Sequence, residues 1–145
     1  GLYDDPGLPQ LERSLQRFPK IKFFAPSQAF WAEIGRLKTP ADRYGYPNYP
    51  IDEEGVVPTL FRCYENLYGD LSAGSGCNAL TRDKDYAVQF LVEFQDRLMF
   101  GTDICAPDTP TPLVDFLLEL QREKRISEEV FNKIAKENAK KLLEL

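Results

Sequence analysis

The sequence predicts an α/β fold built from parallel (β/α) units, and three observations carry that expectation. Short apolar runs of strand length recur along the chain. Stretches of helical periodicity stand between them. The composition, 43% hydrophobic and 28% charged over 145 residues, is that of about one globular domain. Strands alternating with helices point to βαβ units and a parallel sheet. Three strands are too few to close a barrel, and a (β/α)8 barrel takes about 250 residues. Spacing therefore leaves two architectures open: a small open α/β layer, or the C-terminal portion of a barrel.

The elements follow in order. The opening Gly1-Leu2-Tyr3-Asp4-Asp5-Pro6-Gly7 reads as loop, a hint that the chain is a piece of something longer. Leu8, Leu11, Leu15 and Phe18 recur at helical spacing and predict a helix over 8–18, stopped by Pro19. Ile21 to Ala25 reads as a buried strand ended by Pro26, followed by a second short apolar piece, Ala29 to Ile34. Residues 35–57 hold three glycines, three prolines and Tyr44, Tyr46 and Tyr49. They predict one long irregular aromatic loop, the kind of segment that often forms a lid. A helix is expected over 58–65 and a strand over Asn66 to Ser72, with Gly74 and Gly76 marking a turn. Thr81 to Gln95 reads as a helix with Tyr86, Phe90, Leu91 and Phe94 on one face, and Arg97 to Asp103 as the third strand. Thr111-Pro112 opens the next helix. Ser127 caps the last one, with Ile126 and Phe131 at the positions of a hydrophobic staple and Lys140 and Lys141 near its far end.

Composition also excludes. Net charge is −5, against the basic face that nucleic acid demands. No apolar run reaches the roughly 18–20 residues of a membrane helix. The chain has no histidine, so a Ser-His-Asp triad, a Cys-His dyad or a His-rich zinc site cannot be built from it. Cys63, Cys77 and Cys105 are odd in number and form no CxxC pair, which reads as free thiols in a reducing, cytoplasmic setting.

In parallel α/β folds ligands sit beyond the carboxyl ends of the strands. Those ends carry Pro26-Ser27-Gln28, Asp70-Leu71-Ser72 and Asp103-Ile104-Cys105. Asp103 follows the small Gly101 and Thr102, so its carboxylate is expected to project from a rigid strand as an acid/base or metal ligand; the plainer alternative is a turn-capping carboxylate. Asp70 and Trp31 are candidate substrate-binding residues. Their plainer alternatives are a carboxylate bonded to loop amides and an aromatic packed in the core. Cys105, without a neighbouring base, reads as inert, and the Lys-Glu pattern of residues 122–141 as a solvated helix face.

Three segments together resemble the later part of the amidohydrolase-related family: Phe24 to Ile34, Asn66 to Ala73 and Asp96 to Asp103. The closing Ile134 to Leu143 is similar to the family's terminal helix. These are TIM-barrel, metal-dependent hydrolases that include relatives of aminocarboxymuconate semialdehyde decarboxylase. The resemblance implies a single partial (β/α)-barrel domain over 1–145 holding the last three strands of the barrel. It implies Asp103 as catalytic residue and metal ligand. It implies a divalent metal in the complete enzyme, zinc being the expected ion, and none on this chain alone. The family's first-strand His-x-His pair and fifth-strand histidine would lie before Gly1, and its sixth-strand histidine is replaced here by Ala25-Pro26.

The expectation is therefore a C-terminal part of a metal-dependent hydrolase or decarboxylase acting on a small carboxylic or cyclic compound, inactive alone. Its expected partners are a small-molecule substrate and either the missing N-terminal half of the barrel or a second copy of itself, with neither nucleic acid nor membrane. Two alternatives stand beside it: a non-catalytic half-barrel that self-associates, and a small-ligand binding module.

Overall fold

In the computed structural model, which describes residues 4–144, the three apolar runs form one parallel sheet. Its strands are β1 (Phe23–Ala25), β2 (Leu67–Asp70) and β3 (Leu98–Met99), in the spatial order β1-β2-β3. Phe23 stands opposite Leu67, and Gly69 opposite Leu98. The reading of Gly1 to Tyr3 as loop lies outside the described residues.

Helices connect and cover the strands. Helix α1 (Pro9–Arg17) precedes β1, and the side-chain amide of Asn66 pins the junction by donating to the carbonyls of Leu15, Phe18 and Ile21. The apolar piece after β1 is helix α2 (Gln28–Ala32). Ser27 caps it by accepting from the Phe30 amide. Helix α3 (Val56–Cys63) leads into β2.

The turn expected at Gly74 and Gly76 is instead a helix, α4 (Ala73–Thr81). A Cβ on Gly76 would lie 2.2 Å from the Leu71 carbonyl oxygen, so this glycine is a place of close approach and not punctuation. The single helix expected over 81–95 is broken at Arg82. Asp83 then caps α5 (Lys84–Glu93) by accepting from the Tyr86 amide.

Helix α6 (Pro112–Arg122) starts at its proline as expected, although the Thr111 side chain makes no capping bond. The last helix begins as α7 (Glu128–Asn132), capped by Ser127, passes through a π-helical turn (Lys133–Glu137) and ends as α8 (Asn138–Leu143). Ile126 is buried and Phe131 packs against the same core.

The long loop is more ordered than its composition suggests. It contains a 3-10 turn at Pro40–Tyr44 and an antiparallel bridge between Gly35 and Glu54, reinforced by Arg36 on Glu53.

Side chains alternate across a strand, and here the two faces differ in kind. Phe23, Ala25, Leu67 and Leu98 point into the core with Trp31, Phe61, Phe90 and Phe94. These aromatic rings meet edge-on or tilted at 4.8–6.2 Å between centroids. Gly69 sits among them: a Cβ there would lie 2.9 Å from the Trp31 ring and 2.8 Å from Leu98. The opposite face carries Phe24, Tyr68, Asp70 and Met99, exposed or half-buried, with Phe24 stacked on Tyr68 at 5.5 Å. Parallel sheets are ordinarily covered on both faces, and the described residues cover only one.

One buried ion pair ties the start of the chain to the loop. Arg43 Nε lies 2.8 Å from Glu33 Oε1, with the two side chains 3% and 7% exposed. The Gly7 amide donates to Glu33 Oε2, and Arg43 donates to the Asp4 carbonyl. Removing one partner of such a pair strands the other charge in the interior. Glu33→Ala is therefore expected to lower unfolding free energy by about 3–5 kcal/mol in denaturant titration. Burial raises the Glu33 carboxyl above its usual range, outweighing the Gly7 amide and Arg43. A raised carboxyl takes up a proton on folding, so its share of stability is largest at acid pH and is lost as pH rises through the raised value. Against Glu33→Gln, the wild-type chain should gain stability as pH falls from 7 toward about 4.

Candidate functional site

The sheet's carboxyl end is where side chains can meet a ligand. There a cavity of about 260 Å³ opens between the start of α4, the segment after β3 and the start of α6. Ala73, Gly74 and Cys77 form one wall, Phe100 to Asp103 the second, and Thr109 to Leu113 the third.

Asp103 lines this cavity, but not on a strand. β3 stops at Met99, four residues earlier; the Phe100 amide, on the side away from β2, donates to the Ile134 carbonyl on the last helix. Asp103 itself has φ +54°, a left-handed conformation that non-glycine residues rarely adopt and that tends to gather at functional sites. Its side chain is exposed, and among the described residues no hydrogen bond or ion pair engages its carboxylate. The turn-capping alternative thus does not describe it. Ala73, across the cavity, also has a positive φ, +60°.

Asp70 ends β2 as expected. Its Oδ1 accepts from the Ser72 amide at 2.9 Å, which is the plainer of its two readings. It nonetheless stands near the cavity: a Cβ on Gly101, which lines the second wall, would lie 3.5 Å from Asp70 Oδ1.

Trp31, expected to touch substrate, lies instead in the core, 1% exposed. Its indole N–H donates to the Asp70 carbonyl at 2.8 Å, so it braces the strand end from behind. The missing side chain at Gly69 makes the room for it.

The tyrosine-rich loop reaches the same place. A Cβ on Gly74 would lie 3.1 Å from the Tyr46 hydroxyl, and Asn78 of α4 donates to the Pro47 carbonyl at 3.0 Å. Tyr49 is held away from the cavity: its hydroxyl donates to Asp42, and its ring lies against Lys38 and Arg82. Sequence reasoning missed Cys77. Its position on a face of α4 became readable only once Gly74 and Gly76 were seen to lie within a helix.

Among the described residues no group of three His, Cys, Asp or Glu side chains converges as a metal site. All three cysteines are free. Cys105 donates its thiol to the Asp103 carbonyl at 3.4 Å. Burial pushes the Cys77 thiol up, against the opposing hydrogen bond of Thr81, and the thiolate is the reacting form. Under iodoacetamide at pH 8, mass spectrometry should therefore find the exposed Cys63 and Cys105 alkylated first. Cys77 should react only at higher pH or on unfolding.

A family model described as amidohydrolase matches residues 5–145. No curated protein and no solved structure matches the chain at a significant level. The match runs through both carboxylates, the cavity walls and the terminal helix, and on it the chain belongs to the amidohydrolase family.

Proposed function

We propose that this chain is the C-terminal part of an amidohydrolase-like hydrolase or decarboxylase, that Asp103 is its contribution to the reacting centre, and that it does not turn over substrate alone. The observation that carries the reading is the unengaged Asp103 carboxylate in a cavity wall at the carboxyl end of a parallel sheet. Family membership supports it.

The family is generally metal-dependent. A catalytic divalent ion takes about three protein ligands and keeps one position open for water. This chain has no histidine, and its carboxylates do not gather in threes among the described residues. Its own donors therefore do not fit such an ion. Asp103 would join ligands brought from outside the chain, with zinc the expected ion because histidine ligands would come with them.

Within the cavity the chain's own groups have separable tasks. The Asp103 carboxylate accepts or holds a proton at the reacting atoms. The hydroxyls of Thr102 and Thr109 offer hydrogen bonds to a small carboxylic or cyclic substrate. Asp70, fixed by the Ser72 amide, shapes the floor beside Gly101, and Trp31 positions that strand end. Tyr46 closes the space from the loop side. The chain then forms one partial (β/α)-barrel domain, completed by the barrel's preceding half or by a second copy. Three free thiols suit a reducing, cytoplasmic setting, and no helix among the described residues is long and apolar enough to cross a membrane. The bare Phe24–Tyr68–Met99 face favours a second reading, a non-catalytic half-barrel that self-associates.

The purified chain should carry far less than one equivalent of zinc by metal analysis and show no metal-dependent turnover. Adding the complementing half should restore turnover. Asp103→Asn should abolish the restored activity while shifting unfolding free energy by no more than about 0.5 kcal/mol, as expected of an exposed side chain. Stoichiometric zinc and metal-dependent turnover on the chain alone would contradict the proposal.

A further inference from the structure

The walls of the cavity beside Asp103 are mostly apolar. Phe100, Cys77, Pro110, Pro112 and Leu113 contribute to them. Burial raises the Cys77 thiol and keeps it protonated, so it adds no charge. The Thr109 hydroxyl is already engaged, accepting from the Ala106 amide at 3.1 Å.

The charge around this space is one-sided. Among the described residues no Lys or Arg lines it. Asp103 lines it with an unengaged carboxylate, and Asp70 Oδ1 would lie 3.5 Å from a Cβ on Gly101 in the second wall. The starts of α4 and α6 border the same space, and helix starts attract anions. Each carries about half a unit of positive charge, so the two together offset about one of the two carboxylates. The start of α6 offers less than that, because its first residue, Pro112, has no N–H. The balance is negative, in a chain whose net charge is −5.

Size sets a second limit. A dry apolar cavity of about 150 Å³ holds one benzene ring. This one measures about 260 Å³, room for a single six-membered ring with a small substituent and too little for two rings.

We infer that the cavity takes a single uncharged ring and rejects a carboxylate. The ring seats against Phe100 and Leu113, and any anionic group that the ligand bears turns away from Asp103 toward groups outside this chain. Of a small carboxylic or cyclic substrate, this chain therefore recognises the cyclic part. As a statement about substrate the inference rests on the hydrolase reading; as a statement about what the cavity binds it needs no turnover.

The test uses the whole chain at pH 7 with benzyl alcohol and benzoate, which share a ring and differ in charge. Binding is followed by NMR through the backbone amide shifts. Benzyl alcohol should move the amides of Gly74, Cys77, Gly101 and Thr102. It should bind at least about tenfold more tightly than benzoate, the factor that two like charges a few ångströms apart impose in a partly desolvated site. Asp103→Asn should narrow that ratio severalfold by relieving benzoate. Thr111→Trp, which adds an indole at a wall position whose hydroxyl makes no capping bond, should weaken benzyl alcohol about tenfold. Should that variant not fold, Asp103→Asn decides alone, since its side chain is exposed. Four results would overturn the inference: no binding of benzyl alcohol, benzoate binding as tightly or more tightly, a ratio unchanged in Asp103→Asn, or shifts confined to Phe24, Tyr68 and Met99 on the bare face. Benzyl alcohol seated as expected, with no turnover once the complementing half is added, would overturn the hydrolase reading and uphold this one.

Discussion

A parallel sheet covered on one face is the constraint on which the rest of this structure depends. Parallel strands need a helix at each crossover, and those helices gather the fully buried apolar side chains on their own side. Here that side holds Trp31, Phe61, Phe90, Leu67 and Leu98, each at most 2% exposed. The other side is left to Phe24, Tyr68, Asp70 and Met99. Burying one large apolar side chain contributes roughly 1.5–3 kcal/mol, so the covered face supplies the stability. The bare face is then free to take a role in assembly or in binding.

The same asymmetry places the chemistry. Trp31 bonds the Asp70 carbonyl from the covered side, while the Asp70 carboxylate turns toward Ser72 and Gly101 at the carboxyl end of the sheet. The early stop of β3 frees residues 100–103 to form a cavity wall and to carry Asp103 in a left-handed conformation. The π-helical turn in the last helix presents the Ile134 carbonyl to the Phe100 amide. The terminal helix thus bonds to the end of β3 beside the segment that walls the cavity.

Much of this was legible in the residues. The strands at Phe23 and Leu67, the helix opened by Pro112 and the cap at Ser127 follow from short apolar runs, a proline at a first helical position and an N-cap serine. The ordered set of segments also carried the family resemblance. What escaped was tertiary. Gly74 and Gly76 look like a turn until Leu71 is seen to occupy the space a Cβ would need. Trp31 looks like either pocket or core until Gly69 is seen to make room for it. The left-handed turn at Asp103 is signalled only by aspartate's tolerance of that conformation, and the carbonyl that takes the Phe100 amide comes from a residue more than thirty positions away. The candidate site was thus half visible: its carboxylates were found, and its cysteine wall, its brace and its backbone strain were not.

The most direct measurement is hydroxyl-radical footprinting of the chain in dilute solution, read residue by residue by mass spectrometry. The account predicts that Phe24, Tyr68 and Met99 are oxidised readily while Trp31, Phe61 and Phe90 are protected. Protection of Tyr68 and Met99 to the same degree as Trp31 would contradict it, since the second face of the sheet would then be covered within the chain itself.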